Sequence, residues 1–346
     1  MNSENKLEKS KQVKSKFSFE KVESKFFVKE IFGLMKKHKS LNIVKYNKKL
    51  QNLLKFNIND YKENSRLYSS IIIELKLDDN IKRENDIFIN IPDEEKDYYH
   101  IYFDNSNKEI KRNYLKVNEK VNKIKIKINY QVKSFQELFK SCICISEIIF
   151  IQFIRNNITN MKKMFDGCSS LKKLDLSNFN TDNIENMNCM FYNCKSLSEV
   201  NLSNFNTNKV IDTSVMFAGC SSLKELNLSN FNTSNVNNMG CMFAGCSSLA
   251  KLNVSNFDTS NVISMGGMFS KCLSLTELNL SSFNTNNTYV MNGMFSGCSS
   301  LKELDISNFS FINPFGIKGM LEECSDELKL KIKLSSGLNL FGQIGI

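Results

Sequence analysis

A period of 26 residues, running from residue 138 to about 324, constrains this chain more than any other feature. Met164-Phe165, Met190-Phe191, Met216-Phe217, Met242-Phe243, Met268-Phe269 and Met294-Phe295 recur at that step. So do Cys168, Cys194, Cys220, Cys246, Cys272, Cys298 and Cys324, and so do Phe153, Phe179, Phe205, Phe231, Phe257, Phe283 and Phe309. One step before Met164 lies Leu138-Phe139, with Cys142 in the cysteine column. A fixed period of this size means that similar units stack on one another, each touching only its neighbours.

Unit 223–248 serves as the type. Leu223-x-x-Leu226-x-Leu228 predicts a short strand with Leu226 and Leu228 facing inward. Ser229-Asn230-Phe231-Asn232-Thr233 turns the chain and inserts one Phe. Val236, Met239 and Met242-Phe243 follow at spacings that line one side of a short helix. Thr233 or Ser234 is expected to cap it, because a hydroxyl there accepts from an orphan helix N–H. Gly245 is expected to reverse the chain before Cys246. Stacked units place strands about 4.8 Å apart and turn the Phe, Leu, Met and Cys columns into ladders. Fourteen of the 27 Phe fall in two columns, Phe139–Phe295 and Phe153–Phe309, so most of the Phe is spent on structure.

Leu-x-x-Leu-x-Leu, then Ser-Asn-Phe-Asn-Thr, then Met-Phe-x-Gly-Cys-Ser-Ser-Leu resembles the BspA-like leucine-rich repeat family over residues 138–310. The resemblance implies an α/β solenoid: a leucine-rich-repeat-like right-handed coil with one parallel sheet, and protein-binding or adhesive roles. Phe231 and its equivalents stand where general leucine-rich repeats carry an Asn ladder. Members of the family are often surface-displayed, whereas Met1–Gln12 is charged and lacks the apolar core of a signal peptide. No run of about 18 apolar residues is present. The expectation from sequence is therefore an intracellular, cytoplasmic protein with reduced thiols.

Outside the repeats the character changes. Residues 1–140 hold 31 Lys+Arg against 20 Asp+Glu, a surplus of eleven, whereas residues 141–346 hold 15 against 16. An anionic partner is open to the basic N-terminal region, although a solvated lysine surface is the preferred reading and nucleic acid is disfavoured. Residues 1–22 read as a disordered basic tail. Residues 23–60 read as a helical hairpin: Phe27, Val28, Ile31, Phe32, Leu34 and Met35 form one helix face, and Leu41, Val44, Leu50, Leu53 and Leu54 another, after a polar turn at Lys36–Ser40. Residues 65–135 read as a small β domain capping the open end of the solenoid. Its strands are Ile71–Ile73, Ile87–Ile91, Tyr98–Phe103 and the alternating Ile124–Val132. The solenoid itself spans 138–312 in about seven units. Residues 313–346 read as a degenerate C-terminal cap, with Leu330 and Ile332 in strand positions and an apolar end, Leu340–Ile346.

Nothing in the sequence points to catalysis. His38 and His100 are the two histidines, and the repeats have none. No phosphate loop, dinucleotide fingerprint or Cys-x-x-Cys pair occurs, so no cofactor, metal or catalytic residue is assigned. The cysteine column reads as buried thiol, with Cys189 and Cys241 outside it as the candidates for exposure. The outward strand positions form a candidate partner-binding concave face: Lys173, Asp175, Glu199, Asn201, Glu225, Asn227, Lys251, Asn253, Glu277, Asn279, Glu303 and Asp305. Ile149 and Ile151 break that polar pattern and are expected to be covered by the β domain. The reading is a non-enzymatic interaction scaffold binding a protein partner of unknown identity through the solenoid. Two alternatives stand beside it. Phe27–Leu50 loosely resembles the F-box, which implies an adaptor recruiting a Skp-type subunit with the repeats as substrate receptor. The other alternative is a cell-surface adhesion protein.

Overall fold

The computed structural model describes residues 25–78, 85–117 and 119–336. The expectations for residues 1–22 and Leu340–Ile346 lie outside these. The chain divides into two compact units, Met1–Asn64 and Ser65–Ile346.

In the first unit four short helices stand where the sequence suggests two: α1 (Lys25–Gly33), α2 (Lys37–Val44), α3 (Lys48–Leu53) and α4 (Ile58–Tyr68), the last crossing the boundary between the units. The extra breaks have local causes. Asn47 Oδ1 accepts from the Leu50 N–H and caps α3. Asn57 Oδ1 accepts from the N–H groups of Asn59 and Asp60, while Asp60 Oδ2 accepts from the Asn57 N–H, a reciprocal cap that starts α4. Val28, Phe32, Val44 and Leu50 form a small core, backed by Met35, Leu53, Leu54 and Phe56.

In the second unit β1 (Ile71–Leu77), β2 (Tyr99–Phe103), β3 (Glu109–Ile110), β4 (Lys123–Ile128), β5 (Ile145–Gln152), β6 (Lys173–Asp175) and β7 (Glu199–Asn201) form one open seven-stranded sheet. Its order is β3-β2-β4-β1-β5-β6-β7, antiparallel as far as β5 and parallel beyond it. Alternation in β4 buries Ile124, Ile126 and Ile128 and leaves Lys125 and Lys127 in water. Of the Ile87–Ile91 segment only Ile87 joins the pairing, through a single bridge to Tyr114. β1 pairs along β5 rather than lying over its face, so the β strands of residues 71–128 continue the sheet of the stack sideways.

From residue 138 onward, similar 26-residue units stack, an arrangement compatible with a solenoid. Met164, Met190, Met216, Met242, Met268 and Met294 are buried, as are both Phe columns. The rings from Phe139 to Phe295 stack nearly parallel, with centroids 5.2–5.9 Å apart. The short helix expected in each unit is absent: none is found among the described residues between β7 and the α5 helix, Asp326–Ser336, apart from one 3-10 turn at Pro314–Ile317.

The hydrogen bonds explain why. The N–H groups of Met239, Cys241, Phe243 and Gly245 donate to carbonyls of Ser264, Gly266, Met268 and Ser270 in the next coil. Those of Met242, Ala244 and Cys246 turn back to Met239, Cys241 and Phe243. A helix needs consecutive i→i−4 bonds, and every second amide here is committed to a neighbouring coil. The three-residue spacing of the apolar side chains comes from this alternation. It is made possible by left-handed φ at two columns, one through Cys189 (55°), Val215 (61°) and Gly267 (62°), the other through Gly219 (76°) and Gly245 (71°).

Two further expectations shift. Thr233 caps no helix; its hydroxyl donates to the Asp258 carbonyl of the next coil, and Asn232 Oδ1 takes the Ser234 N–H instead. An asparagine ladder does exist, one residue before the Phe. Asn230 Nδ2 donates to the Leu202 and Phe205 carbonyls of the preceding coil, and Asn256 and Asn308 repeat the contact. At the C-terminal end α5 replaces the strand positions read at Leu330 and Ile332: Leu328 and Ile332 are buried on its inner face, and Leu330 is exposed.

Candidate functional site

All twelve residues proposed for the outer strand face are exposed. The alternation that buries Leu174 and Leu176 forces Lys173 and Asp175 outward, and the same rule repeats in each coil. Their side chains are less free than their exposure suggests. Oδ1 of Asp175, Asn201, Asn227, Asn253, Asn279 and Asp305 each accepts the backbone N–H two residues on, from Ser177 to Ser307, at 2.9–3.1 Å. These are turn-forming bonds of the kind Asn and Asp supply to their own backbone. The bonds from Ser307 hold the Asp305 carboxyl below its usual range. The asparagines keep their Nδ2 donors and one oxygen lone pair for a partner.

The face is not uniform. A groove of about 400 Å³ lies at its N-terminal end, lined by Glu147, Ile149, Lys173, Asp175, Asn178, Glu199 and Asn201 over a floor of Ile148, Phe150 and Leu174. It collects four of the proposed residues, Lys173, Asp175, Glu199 and Asn201. The other eight lie along the stack away from it. Two surface ion pairs frame it, Lys173 Nζ–Glu199 Oε2 at 2.7 Å and Lys76 Nζ–Glu147 Oε2 at 2.7 Å. Each glutamate raises the pKa of its lysine, first through the hydrogen bond and then through charge.

Ile149 is half-buried, and Ile151, expected to be covered, is 54 % exposed. The cause is the edge-to-edge pairing of β1 with β5, which leaves the outer face of β5 open. Ile72, Glu74 and Lys76 of β1 stand beside it, so the face extends beyond the repeats. The signal for this was the two isoleucines themselves, the break in an otherwise polar column.

A second, acid-lined hollow of about 540 Å³ lies among Asn90, Glu94, Glu95, Tyr99, Asn113 and Glu137. Burial, with Glu94 beside it, raises the Glu95 carboxyl, and the Tyr99 hydroxyl donates to it at 3.5 Å. Next to Tyr99 electrostatically is Arg155, fully buried, whose Nη1 donates to the Asn129 carbonyl at 2.9 Å while Nε and Nη2 have no hydrogen-bond partner among the described residues. Burial lowers its pKa to about 10.

The cysteine column carries no disulfide among the described residues. Each thiol from Cys168 to Cys324 donates to a Phe carbonyl of the preceding coil, as Cys246 does to Phe217 at 3.2 Å. Burial pushes the Cys220 thiol up to about 12, which removes it from thiolate chemistry. Cys189 and Cys241 are half-buried, and burial raises both.

The model of a family described as Mycoplasma protein of unknown function, DUF285, matches the chain twice, at residues 108–227 and 219–332. No curated protein and no solved structure matches it.

Proposed function

We propose that this chain, a member of the family of Mycoplasma proteins of unknown function DUF285, is a non-enzymatic interaction scaffold that binds a protein partner on the outer strand face at the groove beside β5. The observation that carries this reading is the apolar seam of half-buried Ile149 and exposed Ile151, flanked by the Lys173–Glu199 and Lys76–Glu147 pairs in an otherwise polar face. Apolar side chains ringed by charge are what a partner desolvates, whereas the amide columns farther along are tied into their own turns. We read the winding as a right-handed, leucine-rich-repeat-like coil of the BspA-like kind. The inward leucines Leu223, Leu226 and Leu228 and their equivalents support this, although the wall from Met239 to Cys246 is built of turns.

A photo-crosslinking residue placed at position 151, and separately at exposed Asn237, tests the site in native cells. The expected result is one discrete adduct from position 151 only. Equal adducts from both positions, or none from 151, would remove the assignment.

A further inference from the structure

We propose that the helical unit, residues 25–64, docks on an anionic lipid surface. This segment carries ten lysines against Glu30, Asp60 and Glu63, a net charge of +7. All ten lysines are exposed. Lys37 pairs with Asp60 at 2.8 Å and Glu63 at 3.7 Å; the other nine have no ion pair among the described residues. A charge excess this dense in so small a unit repels itself, and the Lys37 pairs compensate it only in part.

The same unit leaves large apolar side chains in water. Leu34 is 89 % exposed, Tyr46 91 %, Ile58 68 % and Ile43 47 %. Each has lysines close in sequence: Lys36 and Lys37 after Leu34, Lys45, Lys48 and Lys49 around Tyr46, Lys55 before Ile58. Lys45 Nζ lies 5.4 Å from the Tyr46 ring centre. A groove of about 260 Å³ opens between α1 and the end of α3, floored by Phe32, Leu53, Leu54 and Phe56 and lined also by Lys29 and Lys55. Lysines meet phosphate headgroups while leucine, isoleucine and tyrosine enter the boundary of the acyl region. A nucleic-acid surface would use the lysines but would have no use for Leu34, Ile43 and Ile58. No helix among the described residues is long and apolar enough to cross a membrane, so the contact is peripheral.

The test is sedimentation of the full chain with vesicles of phosphatidylcholine alone and of phosphatidylcholine mixed with phosphatidylglycerol. Binding is expected only to the mixed vesicles, and it falls when salt screens the lysines. The double variant L34S/Y46S changes two side chains with little burial, so the fold survives; it is expected to bind roughly tenfold more weakly. K45E/K48E/K49E is expected to abolish binding with the circular-dichroism signal unchanged. Failure of the full chain to sediment with mixed vesicles at low salt would overturn the proposal. So would heparin binding as tight as vesicle binding with L34S/Y46S leaving both unchanged, since that marks a general polyanion surface.

Discussion

In residues 71–128 each contact is made once. β1 lies between β4 and β5, Ile73 faces Ile126 on one side and Phe150 on the other, and nothing elsewhere repeats the arrangement. In the stack a contact is made many times over. The hydroxyls of Thr181, Thr207, Thr233, Thr259 and Thr285 donate to the carbonyls of Asn206, Asn232, Asp258, Asn284 and Ser310, each in the next coil. The two regions meet at Arg155, one step before Thr181 in the threonine column. The threonines reach forward to the next coil, whereas the arginine in their column reaches back, to the Asn129 carbonyl beside the antiparallel strands. Repetition satisfies polar groups with short side chains; the unrepeated join needs a long one and buries a charge to get it.

The largest expected effect tests the repeated half. The Phe217 ring stacks on Phe191 at 5.2 Å and on Phe243 at 5.9 Å and is fully buried. Phe217→Ala should cost about 3–5 kcal/mol in urea unfolding, because rigid neighbours on both sides cannot close the cavity. A loss below about 1 kcal/mol would mean that the column repacks and is not a ladder.

The next test addresses the join. The guanidinium of Arg155 is buried against neutral groups, a costly arrangement. Arg155→Met should therefore stabilise by about 1–3 kcal/mol at neutral pH, the range seen when buried charge gives way to apolar packing. The folded pKa of Arg155 lies near 10, below its ordinary value, so the unfolded chain holds this proton more tightly. The penalty is complete below pH 10 and fades as pH rises from there. The gap between wild type and variant should narrow over that range. A gap that does not change with pH would show that the gain comes from packing, not charge.

Thr207→Val is a smaller test, specific to the repeats. Thr207 Oγ1 donates to the Asn232 carbonyl and accepts the Asn232 N–H, both at 2.8 Å. The isosteric change removes both bonds while keeping the volume, so about 1–3 kcal/mol should be lost. A neutral result would show that water enters the ladder, and the contrast with the join would weaken.

The comparison also explains what could be read from the chain beforehand. Column identity was legible, because a fixed period places Met190, Phe191, Cys194 and Leu197 inside in every unit whatever the backbone does between them. The wall they sit on was not. Val236, Met239 and Met242 fit a helix by spacing alone, and only the destination of alternate amides, which no side chain records, makes the wall a ladder of turns. The asparagine ladder was hidden for a related reason: Asn230 and Asn232 flank Phe231 alike in sequence, and only the fold decides that Asn230 binds backbone carbonyls of the preceding coil while Asn232 meets the Asn208 side chain there. Of the candidate face, the outward direction of Lys173 to Asp305 followed from strand alternation. The exposure of Ile151 did not, since it depends on which way β1 meets β5.

The smallest effect probes the backbone on which the repetition rests. Val215 holds φ at 61° in a column where Gly267 and Gly293 hold 62° and 59°. A β-branched side chain is poorly suited to that region, while Asn tolerates it. Val215→Asn should raise stability by about 1 kcal/mol, less whatever the half-buried Val contributes by packing. The converse change, Gly267→Val, should cost at least as much, because a Cβ there meets Cys241 Sγ at 3.0 Å in addition to the unfavourable φ. If thermal melts show both changes to be destabilising, packing outweighs backbone strain at this column, and the coils tolerate left-handed valine because their neighbours hold it in place.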